Sequence, residues 1–439
     1  MPASFPPPLS IGAVGNIPKR RNRLCTMYEA VLAAQSALGQ ISTFLYVFPI
    51  PSDAYAARIV LGNNVATAWN VTSACIAPSD SVSDYVNPTV AGNTTAGAAG
   101  WTNLTFVGNG VDSENIVLAG ATRTATVPAA GGADPMTGST IVPTYFYSDF
   151  VPIAPITPSP TIRFLFVRVA IPNEAYTRNL WQPGSTSSGP NAWTGNAALN
   201  SGFDASIRSG WMLDLATTPG IFSEGSTSPT QTGVICSLEY MSLVPGINLL
   251  TMGDSQIEGA TTSGGGCSNF VTLSGTALST PQLPICVKAG SWGGQPSDTW
   301  WPMFEKILST TPPSVAVFQS VSGNDTPGAG YFRGLARTLA AAKKVQDCGG
   351  VAIICTPFPR PAWGITSWKM IRAEVLKLGA SSSNFLLFDT CVGTGSKTSG
   401  AYDCSFLSGM STDGLHPNDA AHAVMAANFM PMLRQIIGN

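Results

Sequence analysis

The sequence predicts a three-layer α/β/α half with a mainly parallel five-stranded sheet, preceded by a half resembling a β-sandwich or jelly roll. Three observations carry this expectation. Up to about residue 243, short β-like runs are separated by Gly, Pro, Asn and Ser. Past Pro245, continuous apolar runs alternate with helical patterns, which implies a parallel sheet covered on both faces. Gly (45) and Pro (34) are abundant among 439 residues, favouring turns over long helices. That length suits two domains and an arm, divided as 1–40, 41–243 and 244–439.

The first segment, "MPASFPPPLSIGAVGNIPKRRNR", is Pro-rich and then basic. Glu29 and Gln35 interrupt the apolar residues after it, so it reads as an arm or docking tail rather than a signal-peptide core. The β-rich half then holds seven strand candidates: "STFLYVFPIP", "AARIVLG", "TNLTFVG", "RTATVPA", "TYFYSDFVPI", "TIRFLFVRVAIP" and "GVICSLEYMSL". Small polar stretches at Gly92 to Gly100 and Gly184 to Gly195 read as surface loops, and no fixed-period repeat is seen. Asn70, Asn93 and Asn103 begin N-x-Ser/Thr triplets that chance explains in so Thr-rich a chain.

In the second half the strand candidates are "GINLLTM", "LPICVKA", "SVAVFQSV", "GVAIICT" and "NFLLFDT". The helix candidates are "SDTWWPMFEKIL", "GYFRGLARTLAAAKKVQDC", "SWKMIRAEVLKLG" and "NDAAHAVMAANFMPMLRQII". In the second helix, Phe332, Leu335, Leu339 and Ala342 fall on one face, with Arg333, Arg337 and Lys344 off it.

Charged residues make up 10% of the chain and the net charge is −2, so there is no basic field for nucleic acid. Lysine is absent between Lys19 and Lys288, leaving a neutral polar first half that suits sugars or protein partners. No run of eighteen apolar residues predicts a membrane span. Nine cysteines leave at least one unpaired in a monomer, and none form a C-x-x-C pair. Cys391 with Cys404, and Cys267 with Cys286, either staple their loops or remain buried thiols.

Ligands of parallel sheets bind outside the carboxyl ends of the strands. Ser255 follows the first of these strands, Gly293 and Gly294 the second, and Asn324 the third. Asp413 and His416 sit in "STDGLHPND", just before the last helix. Serine-dependent hydrolysis needs a nucleophile, a base, a group to orient that base and oxyanion donors, and this edge carries one of each. The chain has two histidines, too few for a multi-histidine metal centre, and no cofactor is implied. His422, inside the last helix, reads as a packed or exposed helix residue. Asp254, Asp325 and Asp389 read as structural carboxylates.

These residues carry a resemblance. "GDSQIEG" looks like the first block of the SGNH/GDSL hydrolase family, with Gly259 at the glycine that follows the serine. "KAGSWGGQ" and "SGND" resemble the second and third blocks, and "DGLHPN" the last. The likeness runs from Gly246 to the end. It implies Ser255 as nucleophile, His416 as base and Asp413 as its partner. It also implies an oxyanion hole from the Ser255 and Gly293 N–H groups and the Asn324 amide. Lys288 and Ser322 depart from the blocks, which makes Gly294 a second candidate donor. Trp292 and Trp300, with Trp301 nearby, offer a sugar-stacking wall, or core packing for one of the last two.

The resemblance implies a serine esterase acting on an ester substrate. The low charge and the preceding β-rich half point to O-acetyl or other short acyl groups on a polysaccharide. The β-rich half with its Pro-rich arm also resembles phage-tail or envelope-associated modules. The reading from another class is therefore a structural or glycan-binding particle component with accessory esterase activity. Assembly into a homo-oligomer or particle stays open, as does localisation.

Overall fold

The computed structural model describes residues 22–27, 32–35, 42–51, 54–63, 65–79, 101–113, 115–117, 122–131, 144–153, 164–172, 174–179, 208–210, 234–262, 268–291, 293–310, 312–326 and 328–438. The expected arm before residue 22, both Gly-rich loops, Cys267 and Trp292 lie outside them.

One strand organises the chain. Ile235–Met252 runs through eighteen residues without a break, so positions 243 and 244 fall inside a strand and not in a linker. Its first part pairs antiparallel with Ala54–Asn63 on one side and Asn22–Met27 on the other. Beyond Gly246 it pairs parallel with Ile285–Ala289 and Val315–Gln319. The change of partners coincides with Pro245, which has no N–H to donate to a ladder.

The parallel part is a five-stranded sheet, completed by Val351–Cys355 and Leu386–Phe388. Each of its strands coincides with an expected apolar run. Alternate side chains leave opposite faces, as pleating requires. Leu249, Val317 and Ile353 face one apolar cluster with helices α2 (Phe270–Leu278) and α6 (Asp419–Ile437). Leu250, Phe318 and Ile354 face a second, with α3 (Ser297–Thr310), α4 (Ala329–Asp347) and α5 (Ile365–Ser381).

The first half contributes antiparallel pairing. Arg208–Gly210, Ser42–Pro49, Phe164–Ile171, Ser73–Ser79 and Thr102–Asn103 form a five-stranded antiparallel sheet. Its Phe48, Val167 and Val169 share a cluster with Ile59 and Leu61 of the sheet built on the long strand. Arg58 is wholly buried, its guanidinium carbon 4.5 and 4.4 Å from the ring centres of Tyr147 and Phe150. Its Nε donates to Glu239 on the long strand at 2.8 Å, so the charge is paired where water cannot reach it.

Two expectations on α4 need correction, and one open alternative is decided. On α4 Leu335 and Ala342 are buried and Leu339 packs against the same cluster, as expected, but Phe332 is 48% exposed and Tyr331 takes its place in the core. Arg337, expected off the face, is buried because its Nε meets Asp298 at 2.9 Å. Cys391 and Cys404 are free thiols packed with Trp368, and Cys286 is a free thiol 3.1 Å from the Tyr240 hydroxyl. Stapling gives way to burial, the other alternative for those residues.

His422 is fully buried in α6, stacked with Phe270, and its Nδ1 accepts the Phe270 N–H at 3.3 Å. Burial drives the imidazole down to about 3. The folded state therefore holds it neutral, while the unfolded chain takes up a proton near its ordinary value of about 6.5. Stability from this source is intact above that value and declines as pH falls toward 3. Urea unfolding should show the wild type losing about 2 kcal/mol more than His422→Gln between pH 7 and 4.5. Equal losses count against the argument.

Candidate active site

Ser255 opens α1 (Ser255–Glu258), a single helical turn set directly on the end of the long strand. Two glycines make the turn possible. A Cβ on Gly253 would lie 2.3 Å from Ile257 Cγ2 and 2.6 Å from Gln319 Oε1, so no side chain fits there. Gly259 ends the turn at φ +86°, in the left-handed region that glycine tolerates.

Asp254 caps this turn and ties it to the loop after the third parallel strand. Its Oδ1 accepts the Gln256 N–H at 2.9 Å. Its Oδ2 accepts the Gly323 N–H at 2.6 Å and lies 2.9 Å from the Ser322 hydroxyl. The same hydroxyl lies 2.7 Å from the Gln295 carbonyl, so the serine at the usual glycine position links three loops. Asn324 is exposed, and its amide nitrogen makes only long contacts of 3.3 to 3.4 Å with Ser322, Asp254 and Gln295. That amide has donor capacity left for an incoming oxygen.

His416 arrives from the loop before α6. Its Nε2 is 2.8 Å from Ser255 Oγ, and its Nδ1 is 2.6 Å from Asp413 Oδ2. Asp413 Oδ1 accepts the N–H groups of Leu415 and His416, each at 2.8 Å. Burial alone pushes the Asp413 carboxyl up, but the bonds from His416 and Leu415 outweigh it and hold it down to about 2. An ionised carboxylate only accepts, so Nδ1 carries the proton and Nε2 is free to accept from the serine. The arrangement can take the proton from Ser255 as Oγ forms a bond.

The other expected site residues divide. Trp300 is 5% exposed and packs with Phe304 and Phe318 under the sheet, so it is core and not a substrate wall. Trp301 belongs to the same cluster. Gly293 lies between Ser255 and Glu258, its ideal Cβ position 3.4 Å from Ser255 Cβ and 2.8 Å from Glu258 Oε2. A buried carboxyl thus stands beside the donor that the oxyanion is expected to use. Gly294 is exposed at φ +73° with open space around it. Asp325 accepts from Ser297 and Ser322, and Asp389 pairs with both terminal nitrogens of Arg372 at 2.9 and 2.6 Å, as structural carboxylates do.

Several supporting residues escaped sequence reasoning. Gln256 Nε2 donates to the Leu415 carbonyl at 2.9 Å, joining the serine turn to the histidine loop. Gln319 Oε1 accepts the Asp254 N–H at 3.0 Å, and its Nε2 meets Gln256 Oε1 at 3.2 Å. Arg360 Nη2 holds the Gly323 carbonyl at 3.0 Å. Glu258 carries a signal that sequence could have offered, a second carboxylate four residues after Asp254 in an otherwise uncharged turn. Among the described residues, no group of three His, Cys, Asp or Glu is arranged to hold a metal, and no helix is long and apolar enough to cross a membrane.

No family model matches the sequence, and no curated protein matches it. Solved structures do resemble the fold. The psychrotrophic esterase EstA from Pseudoalteromonas sp. is 18% identical, over 44% of this chain and 99% of its own, with a TM-score of 0.35. A family two carbohydrate esterase from Cellvibrio japonicus is 9% identical over 95% of this chain and 96% of its own, at 0.34. A carbohydrate acetylesterase family member from Sinorhizobium meliloti is 14% identical over 44% and 100%, at 0.33. Scores below 0.5 at such identities do not assign this chain to any of their families.

Proposed function

We propose that this protein is a serine esterase of the SGNH type. One observation carries the reading: the continuous chain of contacts from Asp413 to His416 at 2.6 Å and from His416 to Ser255 at 2.8 Å. Ser255 Oγ bonds to the ester carbonyl carbon as His416 Nε2 takes its proton. The tetrahedral adduct collapses by breaking the bond to the alcohol oxygen, which leaves with that proton. Water then repeats the sequence on the acyl-serine, releasing the acid and restoring the hydroxyl. Asp413 keeps the imidazole in its productive tautomer and stabilises the charged form. The oxyanion meets the Ser255 N–H, the Asn324 amide and an N–H from the Gly293–Gly294 turn.

The substrate we assign is a short acyl ester, foremost an O-acetyl group, on a neutral polysaccharide. The sparse charge of the chain supports this, as does the exposure of Gly294, Asn324 and Gly414 around the relay, which admits a bulky alcohol portion. The β-rich half, read as a sandwich-like module, would hold the glycan or attach the enzyme to a particle. Labelling with a serine-directed fluorophosphonate, followed by peptide mapping, tests the mechanism. Modification at Ser255 supports it, and a folded protein that takes no label there does not. A preference for long acyl chains among nitrophenyl esters would remove the acetyl assignment.

A further inference from the structure

Glu258 is 8% exposed and ends the same helical turn that Ser255 begins. A Cβ built on Gly293 would lie 2.8 Å from Glu258 Oε2 and 3.4 Å from Ser255 Cβ, which sets the carboxyl against the Gly293 backbone and within the influence of its N–H. The carboxyl and the nucleophilic residue therefore flank the same glycine. A peptide N–H has one proton to give, so Glu258 and a developing oxyanion compete for it. An ionised acceptor makes the stronger bond, and a neutral one gives the donor up more readily.

We propose that the Glu258 carboxyl gates the oxyanion site, releasing the Gly293 N–H to substrate when protonated and withholding it when ionised. The ionised form also sets a negative charge beside an oxygen that is itself becoming negative. Glu258 is thus a positioning residue, acting through Gly293, and the inference rests on Ser255 being the nucleophile. The surroundings place the switch in a useful range. Burial pushes the carboxyl up, the charge of Asp254 on the same turn adds to it, and the Gly293 N–H draws it back, leaving it at about 8. Asp254, the N-cap of the same turn, is the charged neighbour that raises it. Turnover should then fall as pH rises through that value and the proton is lost.

The test is the pH profile of kcat/KM on nitrophenyl acetate from pH 6 to 9.5, for the wild type, Glu258→Gln and Ser255→Ala. The wild type should fall at least tenfold between pH 7 and 9.5, within the hundredfold that losing one oxyanion donor costs. Glu258→Gln should lose this alkaline limb. Glu258→Ala, which also carries no charge, is read in the same way should the glutamine variant fail to fold. A flat wild-type profile overturns the gate, as does an alkaline limb that survives in the neutral variants. If Ser255→Ala is inactive while the limb survives, the gate alone is wrong. If Ser255→Ala turns over like the wild type, the esterase reading fails and takes the gate with it.

Discussion

Ser255→Ala and His416→Ala are each expected to lower kcat/KM on a short nitrophenyl ester by roughly 10⁴-fold or more, with the fold intact. The size follows from what each side chain does. Without Oγ no acyl-enzyme forms, and without Nε2 nothing accepts the hydroxyl proton as the new bond develops. The two act as a unit, so the double variant should be little worse than either single one. The fold should survive because neither side chain holds its own loop. The histidine loop is held by Asp413, which accepts the N–H groups of Leu415 and His416, and by Gln256, which donates to the Leu415 carbonyl. The Asn418 amide also reaches the Gly409 carbonyl at 2.9 Å. Tm should move by only a few degrees, as for substitutions that remove no core packing. Wild-type turnover by purified Ser255→Ala would end the assignment.

The sequence made the parallel half legible because a strand buried on both faces must be apolar throughout. Val315–Gln319 and Val351–Cys355 are buried along their whole length, and each coincides with such a run. The candidate site residues were legible for a related reason, since Ser255, Gly293 and Asn324 follow strand ends and Asp413 and His416 sit in the loop before α6, where backbone must turn and side chains can converge. What stayed hidden depends on contacts between residues far apart in the chain. Trp300 and Trp292 are both aromatics near one block, and only the docking of α3 on Phe318 makes Trp300 core. The α4 stripe is set by what it meets, and Asp298 draws Arg337 inward. The α2 helix is not among the helix candidates and is fixed by its cap, where Asn269 Oδ1 accepts the Val271 and Thr272 N–H groups. The run "GVICSLEYMSL" continues into "GINLL" because partners on both sides keep Ile235–Met252 extended through Pro245. Composition changes at that proline while the strand continues through it.

Asp254→Ala should cost both stability and turnover, and the pairing of the two losses is the informative part. The carboxylate is fully buried and accepts from Gln256 N, Gly323 N and the Ser322 hydroxyl. Removing it strands two buried N–H groups, each costing about 1–3 kcal/mol, and loses the charge-assisted strength of the bonds. A total near 4 kcal/mol is expected from urea unfolding. The same bonds fix the Gly323–Asn324 loop relative to Ser255, so its amide should drift from where the oxyanion forms. A turnover loss of roughly a hundredfold follows, like that from removing an oxyanion donor outright. Asn324→Ala separates the two effects. Its side chain is exposed and its bonds are long, so it should lose about the same hundredfold in kcat with little change in stability. If Asp254→Ala unfolds more easily yet the residual folded protein keeps full kcat, Asp254 supports the turn without aligning the loop. If Asn324→Ala also keeps full kcat, the exposed amide is no part of the oxyanion site, and the donors must be backbone N–H groups alone.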